Sequence, residues 1–201
     1  MRRLNSAWGL YCAVCTLIIT SVNLYGIEKY LINCNLELLI TSEEIMMGEI
    51  GIVESRSNKG IVEKYLQSVG LPAGNPYCAA GQYYCFVKAT KILNLSNKEI
   101  PIPKTGLSRK ILSYAKMNGK NVPNNPKRHD LIIWRMRGSS WRGHIERVIE
   151  TGKAGWVKTV GFNVRLESGE EGVAIKRRNI YHLIGRLEVA GLVGFCGVEY
   201  D

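Results

Sequence analysis

The chain has 201 residues, of which 46% are hydrophobic, so it is long enough for one packed domain plus an N-terminal extension. Its six cysteines are too few and too irregularly placed for a disulfide framework. The formal net charge of +10 indicates attraction to a polyanion. Nucleic acid is not expected, because the basic residues are scattered and do not alternate with aromatic ones. The one compact basic cluster, Lys176-Arg177-Arg178, is expected to be a solvated strand face.

The N-terminal residues 1–27 are typical of an export segment. Arg2 and Arg3 precede an uncharged run from Ala7 to Ile27, which as a helix would be about 31 Å long, close to the apolar thickness of a bilayer. Both a cleaved signal peptide and an uncleaved membrane anchor fit this pattern. Basic residues before the run favour a domain on the outer side of the membrane. Residues 28–42 are expected to be a connector that continues as helix, followed by one domain over 43–201.

Four helices are predicted in the first half of the domain. Thr41-Ser42-Glu43-Glu44 has the spacing of a capping box and predicts a helix to about Ile52. A second helix follows Ile61 and stops at Gly70. Asn75 and Pro76 are expected to cap and start a third helix. A fourth runs from about Gly106 to Met117.

Short β-branched and aromatic runs dominate from Leu131 onward. They predict strands over Leu131–Arg135, Gly143–Ile149, Gly155–Phe162, Val173–Lys176 and Leu192–Cys196. Helices that precede strands in this way predict an α+β domain, with the helices packed on an antiparallel sheet.

Cys78 is the candidate nucleophile. Its predicted position in the first turn of the third helix places the sulfur near the positive end of the helix dipole, which favours the thiolate. Cys85 lies mid-helix without such a field and is assigned to the core. The two cysteines lack the ligand spacing of a metal site.

A cysteine nucleophile needs a base, and the base needs an orienting group. His144 is the best candidate base, because it begins a predicted strand, whereas His129 and His182 lie in polar or loop-like stretches. Asn163 ends the next predicted strand. Antiparallel pairing would bring its amide beside His144, where it could accept a hydrogen bond from the ring.

These residues carry a family resemblance over about 43–197. The stretch Val69-Gly70-Leu71-Pro72-Ala73-Gly74-Asn75-Pro76-Tyr77-Cys78-Ala79-Ala80, with the Gly51 and Tyr65 segments before it, resembles the amino half of a CHAP domain, the cysteine, histidine-dependent amidohydrolase/peptidase family. His129-Asp130-Leu131-Ile132-Ile133-Trp134 resembles the family's Gly-Asp-Leu strand. Gly143-His144-Ile145 resembles its Gly-His strand.

The resemblance implies a papain-like fold, related to NlpC-type wall peptidases, that cleaves an amide bond of bacterial peptidoglycan without metal or cofactor. By matching position, Cys78 is nucleophile, His144 the base and then acid, and Asn163 the orienting group. Many relatives carry an acid two residues before the Asn, where this chain has Gly161. Glu146 could compensate, although an exposed strand face is its expected place.

The implied partners are peptidoglycan or its stem peptides, with anionic envelope polymers and, through residues 7–27, the membrane as further ones. The expected location is outside the cytoplasm: periplasmic, extracellular or anchored facing the envelope. Either an N-acetylmuramoyl-L-alanine amidase or an endopeptidase fits. The alternative, motivated by Gly161, is an envelope-anchored binding module of the same fold that has lost turnover.

Overall fold

The computed structural model describes residues 26–196, which form an α+β domain of four α-helices and one seven-stranded sheet. The strands are β1 Lys29–Asn33, β2 Lys120–Val122, β3 Leu131–Met136, β4 Gly143–Thr151, β5 Trp156–Arg165, β6 Glu171–Asn179 and β7 Leu187–Cys196. The helices are α1 Leu36–Gly48, α2 Glu63–Val69, α3 Cys78–Ile92 and α4 Ser108–Asn118, with short 3-10 turns at Gly60–Val62 and Asn97–Glu99.

The sheet has the order β2-β1-β7-β3-β4-β5-β6. The five strands predicted from the sequence are confirmed, and each of them is longer than predicted. Their mutual pairing is antiparallel, but β1 pairs with β7 in parallel, so the sheet is mixed rather than purely antiparallel. The predictions for α2 and α4 are also confirmed, with α2 ending at Gly70 in the left-handed conformation.

The N-terminal part of the domain was predicted incorrectly. Residues 28–42 are not a helical connector, because they contain β1 and the first half of α1. The side chain of Asn35, not Thr41, caps α1 by accepting from the Leu38 amide at 3.2 Å. Glu43 therefore lies mid-helix. It is buried against the side chains of Arg128 and His129 instead of closing a capping box.

Residues 1–25, nearly all of the expected export segment, lie outside the described residues. Within residues 26–196, none of the helices combines the length and the apolar character needed to cross a bilayer.

Close packing between α3 and β5 fixes the helix relative to the sheet. Gly81, one turn into α3, lies directly against the Phe162 ring, and a Cβ added at Gly81 would overlap that ring. Phe162 belongs to a buried cluster that also includes Tyr65 of α2, whose ring centroid lies 5.0 Å away. The start of α3 is thus held beside the strands that carry the candidate histidine.

Candidate active site

Cys78 is the first residue of α3, so the predicted position at a helix start is confirmed, but the predicted cap is wrong. Tyr77 occupies the N-cap position without a side-chain capping bond. The Asn75 amide nitrogen instead donates to the Pro72 carbonyl at 3.0 Å, and Pro76 precedes the helix. Cys78 is 5% exposed and its exposed edge lines a cleft. The first N–H groups of a helix have no partner within it, so they are available to an oxyanion at the sulfur.

His144 stands at the start of β4, opposite Trp134 of β3. The two ring centroids are 5.9 Å apart, and Trp134 is fully buried, so it forms a fixed wall beside the imidazole. Gly143 is required before the histidine, because a Cβ there would lie 2.5 Å from the Trp134 carbonyl oxygen and 2.8 Å from Ser108 Oγ. This packing explains the Gly-His pair of the sequence.

The imidazole of His144 lies between a sulfur and a carboxylate. Its Nε2–H donates to Glu146 Oε1 at 3.0 Å, which leaves Nδ1 as the nitrogen available to Cys78. Burial alone would lower the pKa of His144. The side-chain hydrogen bond with Cys78, the bond to Glu146 and the charges of both groups outweigh burial and raise that pKa to about 10. The arrangement therefore favours an imidazolium ring at neutral pH.

Glu146 is fully buried, so its expected place on an exposed strand face is wrong. Arg178 donates from Nε and Nη2 to the carboxylate at distances of 2.6 to 3.1 Å, and Thr159 Oγ1 donates to Oε2 at 2.5 Å. Burial alone would raise the pKa of Glu146, but the bonds from His144 and Arg178 lower it to about 2. A carboxylate thus stays ionised on the far side of the imidazole.

Gly161 leaves room on β5 for the Glu146 side chain of β4. It pairs with Glu146 across the two strands, and a Cβ at Gly161 would lie 3.0 Å from Glu146 Cγ. The space that a side chain at 161 would use is thus filled by Glu146 and by Val164, whose Cγ1 would lie 2.6 Å from that Cβ. The carboxylate beside the imidazole therefore comes from β4.

Asn163 does not contact the imidazole through any hydrogen bond between residues 26 and 196. Its backbone has φ +57, and its amide nitrogen donates to Asn58 Oδ1 at 2.9 Å and Glu171 Oε2 at 2.5 Å. The β5 register shifts between Phe162 and Val164, which accompanies this turn of the side chain away from β4. The structure therefore brings Cys78 and His144 together, and Glu146 accepts the hydrogen bond from the ring that was expected for Asn163.

The other candidates lie elsewhere. Cys85 is fully buried and burial raises the pKa of its thiol, in agreement with its assignment to the core. His129 has φ +73 and its Nδ1 lies 2.7 Å from Glu43 Oε2, away from the cysteine. The His182 ring packs on Trp156 at 5.6 Å. Among residues 26–196, no group of three His, Cys, Asp or Glu side chains is placed to hold a metal ion.

Sequence reasoning missed Arg178 and Thr159. Arg178 belongs to the basic cluster expected to be a solvated face, yet its guanidinium is bound to the buried Glu146. Only the spacing of His144 and Glu146 on one strand face indicated a carboxylate here, and nothing in the sequence paired it with an arginine 32 residues later. Arg178 supplies the charge that keeps this carboxylate ionised in a buried place.

A cleft of about 360 Å³ opens beside Cys78. Its walls come from the Leu71–Pro76 loop, the start of α4, and the β3–β4 connection. The lining residues are Leu71, Asn75, Pro76, Cys78, Gly106, Leu107, Ser108, Met136, Trp141, Arg142, Gly143 and Leu187. It is the space through which another molecule can reach the sulfur.

Comparison of the chain with protein-family models, with curated proteins and with solved structures finds no match.

Proposed function

We propose that this chain is a papain-like cysteine hydrolase of the CHAP type, which cleaves an amide bond of bacterial peptidoglycan through a thioester. The observation that carries the proposal is the order of three groups at the edge of the cleft. Cys78 and Glu146 lie on the two sides of one imidazole, that of His144. Sulfur, imidazole and carboxylate in this order are what a cysteine nucleophile requires.

The reaction takes place in two steps. In the first, the Cys78 thiolate attacks the amide carbonyl, the S–C bond forms, and N–H groups at the start of α3 stabilise the oxyanion. The C–N bond then breaks, and the His144 imidazolium gives its proton to the leaving amine. In the second, His144 takes a proton from water, which attacks the thioester. The S–C bond then breaks, which releases a carboxylic acid and returns the Cys78 thiolate beside the His144 imidazolium.

Glu146 and Arg178 act through the histidine in this mechanism. The Glu146 carboxylate fixes the ring with Nδ1 toward the sulfur and stabilises its positive charge. Arg178 and Thr159 hold the carboxylate in place. The missing acid at Gly161 was the reason to consider a binding module without turnover. Because Glu146 occupies that space, we favour the hydrolase.

The substrate assignment rests on the resemblance of the Cys78 and His144 segments to the CHAP family. Peptidoglycan or its stem peptides would be the partner, outside the cytoplasm. Residues 1–27 would act as signal peptide or anchor, and the net charge of +10 favours contact with anionic envelope polymers.

Mass analysis of digested muropeptides tests this function. We expect the wild type to release products with new amine and carboxyl ends, either at the muramoyl-alanine bond or within the stem peptide. Cys78→Ala should release none, and Cys196→Ala, which removes a half-exposed thiol distant in sequence, should match the wild type. A wild type that produces no new ends, or a Cys78→Ala variant that produces as many, would exclude the proposed reaction.

A further inference from the structure

The cleft beside Cys78 is apolar except at one side. Among its lining residues there is no aspartate or glutamate, and Arg142 is the one residue with a charged side chain. Ser108, at the start of α4, lies close to Arg142 in the cleft, because its Oγ would be 2.8 Å from a Cβ added at Gly143, the residue after Arg142. The side chains that surround a bound molecule here would therefore offer apolar contact, a cation and hydrogen-bond donors.

Arg142 has no carboxylate partner within residues 26–196. Its guanidinium lies 5.2 Å from the centroid of the Trp141 ring, and its Nη1 lies 3.9 Å from Met136 Sδ. The nearby Arg135 and Arg137 are different, because both donate to Glu188, at 2.9 and 2.6 Å. The exposed Arg142 side chain thus lies against an aromatic ring at the rim of the cleft, and its charge is not paired with a carboxylate of residues 26–196.

Ser108 adds a second donor at the same place. It is 3% exposed, it lines the cleft, and its hydroxyl makes no hydrogen bond to any residue from 26 to 196. It is also the first residue of the 11-residue helix α4, whose first turn contains no acidic residue. Its hydroxyl faces the cleft, so it can donate to an oxygen of a bound molecule.

We propose that the cleft binds a carboxylate of the substrate between Arg142, Ser108 Oγ and the first N–H groups of α4. Apolar side chains of the substrate would pack against the leucines that line the cleft. This inference rests on the proposed function, because it concerns which peptides the proposed hydrolase prefers. The enzyme should prefer peptides with a free carboxylate beside the scissile amide over peptides in which this carboxylate is amidated. A guanidinium, a hydroxyl and a helix start are the groups that bind carboxylates in proteins.

Two alkylating reagents of nearly equal size test the inference. Iodoacetate and iodoacetamide both form an S–C bond with Cys78 and release iodide, but only iodoacetate carries a carboxylate. The second-order rate constant of each at Cys78 is measured by peptide mass spectrometry, and the ratio of the two reports carboxylate binding. The His144 imidazolium also attracts iodoacetate, so the comparison is made between variants that keep His144.

We expect Arg142→Gln to lower the iodoacetate-to-iodoacetamide ratio by about threefold to fivefold, the effect of losing one partly exposed ion pair. Ser108→Ala should also lower this ratio. Arg142→Lys keeps the charge and should have a ratio close to that of the wild type. Arg137→Gln is the matched control: it removes the same charge outside the cleft and should leave the ratio at the wild-type value.

The outcomes separate this inference from the function on which it rests. A wild-type ratio in both Arg142→Gln and Ser108→Ala, with Cys78 still reactive, would overturn the carboxylate site and leave the hydrolase intact. A ratio that falls equally in Arg137→Gln would also overturn it, since that result reflects general charge. A Cys78 that reacts with neither reagent faster than Cys85 would contradict the hydrolase and the carboxylate site together.

Discussion

Replacing Glu146 with glutamine is the substitution that isolates the charge of the third group. Glutamine keeps the length of the side chain and an oxygen that can accept from His144 Nε2, so the ring should keep its orientation. What is lost is the negative charge beside the imidazolium, 3.0 Å away and fully buried. Arg178 would also lose its ionic partner.

The size of the effect follows from the pKa of His144. The change from 6.5 to about 10 corresponds to about 5 kcal/mol of stabilisation of the charged ring, shared between Cys78 and Glu146. If half of it comes from Glu146, then Glu146→Gln should lower the pKa of His144 by roughly two units. Two pKa units correspond to about 2.7 kcal/mol less stabilisation of the ion pair, and thus to a loss of roughly 100-fold in kcat/KM.

Two measurements check this. Titration of the His144 ring by NMR gives its pKa in the wild type and in Glu146→Gln, and hydrolysis of a stem peptide gives kcat/KM. Glu150→Gln is the matched control, because Glu150 is an exposed carboxylate on the same strand, paired with Lys158. An unchanged His144 pKa together with an unchanged rate in Glu146→Gln would refute the assignment of Glu146 as the group that holds the ring.

Three further substitutions test the packing and the charges around the site. Gly161→Asp should lower both melting temperature and activity, because its side chain would meet Val164 and Glu146, and combining it with Glu146→Ala should recover part of both. Gly81→Ala should cost about 1–3 kcal/mol in the free energy of unfolding, measured by denaturant, because Phe162 leaves no room for a methyl group. Glu43→Gln should cost about 3 kcal/mol at pH 7 and flatten the acid limb of the stability curve.

The sign of the Glu43 effect follows from its pKa. Burial alone would raise the pKa, but hydrogen bonds from His129 and Arg128 lower it from 4.5 to about 2. Its contribution to stability is therefore present above pH 4.5 and is lost as the pH falls toward 2. Glu44→Gln, one residue along and exposed, should leave the acid limb unchanged.

The Gly81 and Gly161 predictions can each be contradicted by a separate result. Equal destabilisation by Gly48→Ala, where nothing lies within 4 Å of an added Cβ, would show that the loss in Gly81→Ala is not due to Phe162. A double variant of Gly161→Asp and Glu146→Ala no better than either single variant would show that the acid cannot be moved to β5.

Local patterns were sufficient for most of the fold. The β-branched and aromatic runs after Leu131 predicted five strands, and Gly70 predicted the end of α2, because these signals depend on neighbouring residues. β1 could not be predicted in this way. Its apolar residues continue the N-terminal apolar run, and their strand conformation depends on parallel pairing with β7 at the other end of the chain.

The site could be predicted only in part, because local features can be recognised in the sequence and contacts between distant segments cannot. A helix start and a Gly-His strand are local features, and they indicated Cys78 and His144. The role of Asn163 depended on strand register and on the direction of its side chain, which the shift in β5 changes. For Glu146, alternation gave the correct face of β4, but the partners that hold its carboxylate, Thr159 of β5 and Arg178 of β6, come from other strands.

The state of the Cys78 sulfur is the centre of the account, and competitive alkylation by iodoacetamide at neutral pH measures it most directly. Cys85 in the same helix is the internal reference, since it is fully buried and without an imidazole. We predict that Cys78 is alkylated far faster than Cys85 in the native protein, and that His144→Gln removes most of this advantage. Equal, slow alkylation of the two cysteines would contradict the account.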